Sequence, residues 1–267
     1  MKFGRYQSGT DIFRGELEGD RIYRLTGELE AMRREEGSGP ISLASVKTLA
    51  PVMPNKIIAI GPGHNDVLGG QHEPPERPYL FFKPCPGTVT HPGDPIVFPA
   101  GLDNILWELE IAIVIGKQAS RVSRQDASGY ILGYTCCNDI TAGDLRRDWG
   151  QPVSYYWKAF DTFAPLGPVV ATDLGEIEGL AMTSRVNGEV KYETVVSLIY
   201  SPEDLVSWIS QIMTLYPGDI ISTGAAANGD LKVGDVCEIE VEGIGCLSNP
   251  VVAADAFQGL PSNIDAV

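Results

Sequence analysis

The chain has 267 residues, of which 43% are hydrophobic and 21% charged, a composition typical of globular proteins that excludes global disorder. Its formal net charge of −15 would repel phosphate backbones and anionic lipid, so neither nucleic acid nor a membrane is expected as a partner. The first residues lack the apolar core of a signal peptide, and no later stretch approaches the length of a membrane span. We therefore expect a cytoplasmic protein.

Residues 1–54 alternate short apolar pieces with turns and charges, which predicts a small β-rich N-terminal domain with one short helix. A β-branched strand at 56–60 then runs into a glycine-rich turn. We take it as the start of a main domain over 55–267. The proline-rich stretch after this turn predicts edge strands and a loop over a site.

Further strands are predicted at 106–116, 130–139, 181–193, 219–223 and 235–241, with an Asn-Gly hairpin turn inside the third. One helix is predicted after Ser201, which can cap it, with an apolar stripe formed by Leu205, Trp208, Ile209 and Ile212. The fold class predicted is α+β, mainly β.

Glu108 and Glu110 flank a leucine at the start of the strand at 106–116, so both side chains point to the same face. Either this is an exposed strand end, or the carboxylates are covered and must share a proton, pair with a cation or bind a metal. The strand continues as IAIVIG, apolar on both faces, which favours the covered alternative. Asp139 ends the next strand, and three carboxylates suit Mg²⁺, Mn²⁺ or Ca²⁺ better than zinc.

Six motifs follow one another in the chain: WELEIAIVIGK, GYTCCNDITAGD, WKAFDTFAPLGPVV, RVNGEV, PGDIISTG and GDVCEIEVEGIGCLSNPV. In this order and spacing they resemble the fumarylacetoacetate hydrolase (FAH) family over about residues 55 to 252. The resemblance implies a mixed β-roll catalytic domain, usually in homodimers, with a smaller N-terminal domain. It also implies a divalent metal, Mg²⁺ or Mn²⁺, held by Glu108, Glu110 and Asp139.

Members of this family act on 2-oxo or 1,3-dicarbonyl acids, so the resemblance implies a small anionic oxo-acid substrate. Lys158 matches the family's active-site lysine, which can bind the substrate carboxylate or move a proton. Thr223 and Gly224 match a T-G turn whose hydroxyl and backbone N–H groups can hold a substrate carboxylate.

The sequence departs from the family where a histidine and a glutamate usually activate water. Val67 stands at the histidine position and Gly70 at the glutamate position, and neither can transfer a proton. His64 or His72 could serve as a substitute base, or each could be a polar loop residue. An arginine usual after the TA motif is replaced by glycine, and Arg146 could replace it as an anion binder.

The predicted function is metal-dependent enolisation of a 2-oxo or 1,3-dicarbonyl carboxylate, followed by isomerisation (tautomerisation) or decarboxylation, neither of which needs an activated water. One alternative is a C–C bond hydrolase of the acylpyruvate or fumarylacetoacetate type that uses a substitute base. Another is a non-catalytic homologue that binds metal and metabolite.

Overall fold

The computed structural model describes residues 1–69, 73–149 and 155–255. Within these ranges the helices are α1 (Gly143–Trp149), α2 (Tyr155–Lys158) and α3 (Pro202–Ile212). The strands, in chain order, are β1 (Lys2–Ser8), β2 (Asp11–Glu18), β3 (Arg21–Thr26), β4 (Arg33–Arg34), β5 (Ile41–Ser42), β6 (Lys47–Leu49), β7 (Ile57–Gly61), β8 (Tyr79–Lys83), β9 (Val89–Thr90), β10 (Ile96–Phe98), β11 (Ile105–Ile115), β12 (Ile131–Asn138), β13 (Thr141–Ala142), β14 (Ala164–Ala171), β15 (Ala181–Val186), β16 (Glu189–Val195), β17 (Ile220–Ser222), β18 (Asn228–Leu231), β19 (Val236–Val241) and β20 (Gly245–Ala253).

Short 3₁₀-helices complete the described secondary structure: Leu29–Ala31, Leu43–Ser45, Asn65–Leu68 and Ala127–Tyr130. This content confirms the predicted α+β, mainly β class. None of the helices in the described parts of the chain is long and apolar enough to span a membrane.

The larger sheet runs in the order β4-β3-β2-β1-β14-β12-β11-β17-β7-β8, with five short strands paired to its sides. Most of its pairs are antiparallel, whereas β7 lies parallel to β17 and β9 parallel to β14. The strands of residues 1–54 continue this sheet, because β1 pairs with β14. The division of the chain after residue 54 stays a prediction.

The smaller sheet runs in the order β10-β20-β19-β15-β16. The predicted Asn-Gly turn joins β15 to β16, and both of its residues have positive φ, as a two-residue hairpin requires. Side chains from β11, β12 and β14 face side chains from β15, β19 and β20 in the largest hydrophobic cluster. The main core therefore lies between the two sheets.

The central strand β11 is buried along almost its whole length. Ile111 packs into the core between the sheets, Ile113 packs toward α3, and Ala112 packs into a third cluster with β1 and β14. The expectation that this strand is covered on both faces is confirmed. Any charge on it must therefore find its partners inside the protein.

Helix α3 begins as predicted, since the Ser201 hydroxyl accepts a hydrogen bond from the N–H of Asp204 at 3.2 Å. Its buried face differs from the predicted stripe. Leu205, Val206, Ile209 and Ser210 are buried, whereas Trp208 is 37% exposed and Ile212 58% exposed. The hydroxyls of Ser207 and Ser210 form hydrogen bonds with the backbone of Val122, and these polar contacts turn the serine-bearing face of the helix inward.

Candidate active site

Strand β11 positions the two glutamates. Their side chains lie on one face of the strand, and both are buried, with Glu108 6% and Glu110 1% exposed. The neighbouring strand β12 pairs with β11 so that Leu109 lies opposite Asn138, the residue before Asp139. The amide oxygen of Asn138 accepts from the N–H of Glu108 at 3.0 Å. The β11–β12 ladder thus brings all three predicted metal ligands together.

Glu108, Glu110 and Asp139 each offer a carboxylate oxygen, and these oxygens lie within 4.8 Å of one another. We call these residues the carboxylate triad. Lys158, the last residue of α2, donates from Nζ to Glu108 Oε2 at 2.8 Å and to Asp139 Oδ2 at 2.6 Å. The predicted active-site lysine therefore bridges two members of the triad.

Lys83 is a second buried lysine at the triad, which sequence reasoning missed. Its Nζ donates to Asp139 Oδ1 and, at 3.1 Å, to the carbonyl of Ile140. It ends strand β8, in a stretch that the prolines marked as edge strand and loop. The period of two supplies the overlooked signal: Lys83 shares a strand face with buried Phe81, and a lysine on an inward face needs a counter-charge.

The charges within this cluster shift one another's titration. Burial alone would raise the pKa of Asp139, but the ammonium groups of Lys158 and Lys83 outweigh it and lower that pKa. Burial alone would lower the pKa of Lys158, but the carboxylates of Asp139 and Glu108 outweigh it and raise that pKa. For Lys83 burial prevails, so its pKa is lowered. Both lysines and Asp139 are held as a compact ionic group.

Glu110 has a different environment from the rest of the triad. Its Oε2 accepts from the Ser222 hydroxyl and, at 3.0 Å, from the N–H of Gly224, both neutral donors. Burial, followed by the like charges of Asp139 and Glu108, raises its pKa to about 8. No direct ion pair to Glu110 occurs among the described residues. Glu110 is thus the carboxylate that most needs a further positive charge.

These observations fit a divalent cation. Three buried carboxylates lie close together, Glu110 has only neutral donors among the contacts described above, and the donors are all hard oxygens of the kind that Mg²⁺ and Mn²⁺ prefer. Glu108, Glu110 and Asp139 are the residues that would hold the ion.

The T-G turn supports the strand rather than presenting both of its predicted contacts to a ligand. The Thr223 hydroxyl donates to the carbonyl of Ile111 at 2.7 Å, and the N–H of Gly224 is committed to Glu110. Thr223 is buried, and Gly224 takes φ +99° where it passes close to Gly63. The chain leaves its pairing with β11 here, opposite Glu110. The hydroxyl and N–H groups that were predicted to bind substrate are therefore bonded to residues of β11 instead.

A cavity of about 540 Å³ opens beside the triad. Glu108, Lys158 and Arg146 contribute charged groups to its lining, and Asn228 and Tyr79 contribute polar ones. Arg146 lies 3.9 Å from Glu108 with a half-exposed side chain, so it stands at the mouth near the triad. The anion-binding role of Arg146 stays a prediction.

Arg146 lies one helical turn beyond Gly143, where the family's arginine is missing. A Cβ at Gly143 would approach Asn104 Oδ1 to 1.9 Å, so a larger residue there would require the Asn104 side chain to move. Because residues three apart lie on the same face of a helix, Arg146 can reach the same side of the cavity.

Of the two histidines considered as a substitute base, His64 lies within the described residues. His64 is 1% exposed, and its Nδ1 accepts from the N–H of Asp66 at 3.2 Å. Its Nε2 lies 2.9 Å from the N–H of Ser197 and 3.1 Å from the carbonyl of Val195. Burial lowers its pKa. Both ring nitrogens are therefore engaged with backbone, which favours the alternative that His64 is a polar loop residue over the alternative that it is a base. His72 and Gly70 lie outside the described residues.

Val67, at the position of the family's histidine, lines the cavity with Leu68. Both belong to the 3₁₀-helix Asn65–Leu68, so the structure places an apolar side chain where the family carries a proton-transfer group.

Comparisons with known proteins agree with this geometry. Residues 56–252 match the family model described as fumarylacetoacetate (FAA) hydrolase C-terminal. The chain is 35% identical to the mitochondrial oxaloacetate tautomerase of Rattus norvegicus over 228 residues, 79% of this chain and 71% of that protein. It resembles the crystal structure of 5-carboxymethyl-2-hydroxymuconate delta-isomerase from Mycobacterium smegmatis, with TM-score 0.84, 35% identity and coverage of 96% and 100%.

A more distant likeness is to maleylpyruvate hydrolase from Sphingobium sp. SYK-6, solved with a manganese(II) ion and pyruvate. Here the TM-score is 0.77 and the identity 27%, with 96% of this chain and 100% of that chain covered. The chain belongs to the fumarylacetoacetate hydrolase family, which confirms the resemblance found in its motifs. Its named relatives are enzymes that include a tautomerase, an isomerase and a hydrolase.

Proposed function

We propose that this protein is a divalent-metal-dependent enzyme that enolises a 2-oxo or 1,3-dicarbonyl carboxylate and then tautomerises or decarboxylates it. The observation that carries the proposal is the carboxylate triad at the wall of a cavity. Its oxygens lie within 4.8 Å of one another, and Lys158 bridges Glu108 and Asp139. The similarity to a tautomerase and an isomerase supports the same class of reaction.

Mg²⁺ is the proposed ion, with Mn²⁺ as the alternative that the manganese-bound relative supports. When bound by the triad, it would supply a Lewis acid that stabilises negative charge on an enolate oxygen.

The side chains of the protein would bind the substrate, hold or move a proton and exclude water. Lys158, with its ammonium group directed at the triad, is proposed to bind the oxo-acid head and to hold or move a proton at Nζ. Arg146 at the mouth is proposed to attract the carboxylate. The apolar wall formed with Trp157 and Phe81 would exclude water and strengthen these electrostatic interactions.

Tautomerisation and decarboxylation are preferred over hydrolysis because of Val67. Hydrolysis needs a group that activates water, and the described part of the wall at this position carries an apolar side chain instead. Proton transfer alone needs no activated water, and Lys158 is the group proposed for it. Hydrolysis and metabolite binding without turnover therefore become alternative outcomes of the test.

The test is a Mg²⁺-dependent activity screen of the wild type, Glu110→Ala and the control Glu238→Ala, whose carboxylate lies on the second sheet. The substrates are oxaloacetate and an acylpyruvate. Enol absorbance, released CO₂ and acid fragments are followed separately. We expect the wild type and Glu238→Ala to change the amount of enol or to release CO₂. Glu110→Ala should do neither.

Two acid fragments would instead indicate a hydrolase. Inert wild type that still binds Mg²⁺ through Glu110 would contradict catalysis on these substrates and favour the binding homologue. A homodimer is also proposed, and light scattering of the purified protein would give its mass in solution.

A further inference from the structure

The charged groups that line the described cavity are gathered at one end. Lys158 contacts Glu108 at 2.8 Å and Arg146 approaches the same glutamate at 3.9 Å. The remaining wall is mostly apolar, with Ile60, Val67, Leu68, Phe81, Trp157 and Ala225. Phe81 lies under the Lys158 ammonium group, so part of this wall adjoins the charged groups. We call the part of the cavity at Glu108, Lys158 and Arg146 the ionic end, and the wall formed by Val67 and Leu68 the apolar end.

The apolar end is held in place by the three residues before Val67. His64 binds the backbone at Val195 and Ser197, and Asn65 donates from its amide to the carbonyl and the hydroxyl of Ser197. Asp66 accepts from the hydroxyls of Thr194 at 2.6 Å and Tyr192 at 3.2 Å. The anchors point toward β16 and the segment after it. The side chains of Val67 and Leu68 are left to form the wall.

The volume of the cavity exceeds what an oxo-acid head alone would fill. At about 540 Å³ it lies within the range of about 300–1,000 Å³ that encloses drug-sized ligands. A head held by Lys158 and the triad would occupy only the ionic end. A substituent on the other side of the oxo group that stays within the cavity would then lie against the apolar end.

We propose that the substrate carries an apolar substituent, aliphatic or aromatic, on the side of the oxo group away from its carboxylate, and that Val67 is a specificity-determining residue. This inference rests on the proposed function. A second carboxylate at the apolar end would lose its hydration against Val67 and Leu68 without a cationic side chain among the described residues lining that end. An apolar substituent gains from the same burial.

The test compares two 2-oxo acids with the same head, phenylpyruvate and oxaloacetate. At the same carbon, phenylpyruvate carries a phenyl group and oxaloacetate carries a carboxylate. The keto–enol interconversion of each is followed by ultraviolet absorbance with Mg²⁺. For the wild type we expect a kcat/KM at least about tenfold higher for phenylpyruvate. In Val67→Lys this ratio should fall by about tenfold or more and shift toward oxaloacetate.

Val67→Thr, nearly equal in shape, should shift the ratio in the same direction by less and guards against misfolding of the lysine variant. Val233→Lys is the matched control, because Val233 is also an exposed valine but lies outside the cavity lining. It should keep the wild-type ratio. A wild type that prefers oxaloacetate, or a ratio that ignores Val67, would overturn the inference.

Binding separates this inference from the proposed function. Calorimetry with Mg²⁺ and the stable analogues phenyllactate and malate reports selectivity without any turnover. Absence of turnover for both oxo acids would count against the proposed function only. Tighter binding of malate than of phenyllactate would overturn the inference even in an active enzyme, and tighter binding of phenyllactate that weakens in Val67→Thr would support it.

Discussion

The ionic end and the apolar end of the cavity are built by different means. At the ionic end, side chains from β8, β11 and α2 meet the residue after β12, and each buried charge is held by donors or ions of its own. At the apolar end, the side chains of His64, Asn65 and Asp66 turn away to hold the loop, and Val67 and Leu68 are the residues of this 3₁₀-helix that line the cavity. A substitution in the wall therefore leaves the anchors intact. A substitution at the ionic end leaves a buried charge unpaired.

Replacement of Glu110 by glutamine gives the largest effect expected at the ionic end. The amide can still accept from Ser222 and Gly224, so the fold should survive while the charge that a metal needs is lost. We expect metal affinity to fall by more than about 100-fold, since even partners that only support metal ligands contribute about 10–100-fold. The rise of Tm with added Mg²⁺ measures this, and Glu238→Gln should retain that rise.

The two lysines sharpen the comparison, because both bind Asp139 but only Lys158 lines the described cavity. Each change to methionine leaves a buried carboxylate without one partner and should lower the free energy of unfolding by about 3–5 kcal/mol. Lys158→Met should also reduce kcat by about 100- to 1,000-fold, as expected for loss of a group that stabilises charge in the transition state.

Lys83→Met serves as the matched variant for this measurement, with denaturant unfolding and kcat recorded for both. If Lys83→Met retained stability but lost kcat as fully as Lys158→Met, the assignment of Lys83 to support of Asp139 would be wrong.

The pH dependence of metal binding tests whether Glu110 lacks a compensating positive charge. Its pKa rises from 4.5 to about 8 on burial, so the folded protein without metal retains a proton that the unfolded chain releases. The stability from this proton is present below pH 4.5 and is lost as the pH rises through about 8. A metal must displace the same proton. Its apparent affinity should therefore increase about tenfold per pH unit up to about 8 and then level off.

Calorimetry in buffers of different ionisation enthalpy counts the protons released. An affinity that is flat between pH 6 and 8 would mean that Glu110 is already ionised and that the ionic end is better compensated than its contacts indicate.

The ionic end was largely predictable, because its residues follow strand geometry. The period of two placed Glu108 and Glu110 on one face, and the strand pairing brought Asp139 beside them. Lys83 was missed because the proline-rich stretch around it predicted edge strands and a loop, with no buried face. The contacts of Thr223 and Gly224 also escaped, since they depend on where the chain leaves the β11 ladder, which no local pattern specifies.

The apolar end could not be predicted in the same way. Its shape depends on contacts between residues more than 120 positions apart, such as Asp66 with Thr194 and His64 with Ser197. A histidine in a glycine-rich loop near a predicted site reads equally as a base or as a structural residue. The choice follows only from which backbone groups surround the ring.

His64 therefore provides the smallest but most discriminating test of the comparison. His64→Leu removes the ring nitrogens that contact the backbone of Asp66, Val195 and Ser197 in a buried place, which should lower the free energy of unfolding by about 1–3 kcal/mol. Turnover should change by no more than severalfold at temperatures where the variant is folded, and the shape of its pH–rate profile should match the wild type. A profile that loses its acidic limb would return His64 to the role of base, and the loop would then contribute to the chemistry as well as to selectivity.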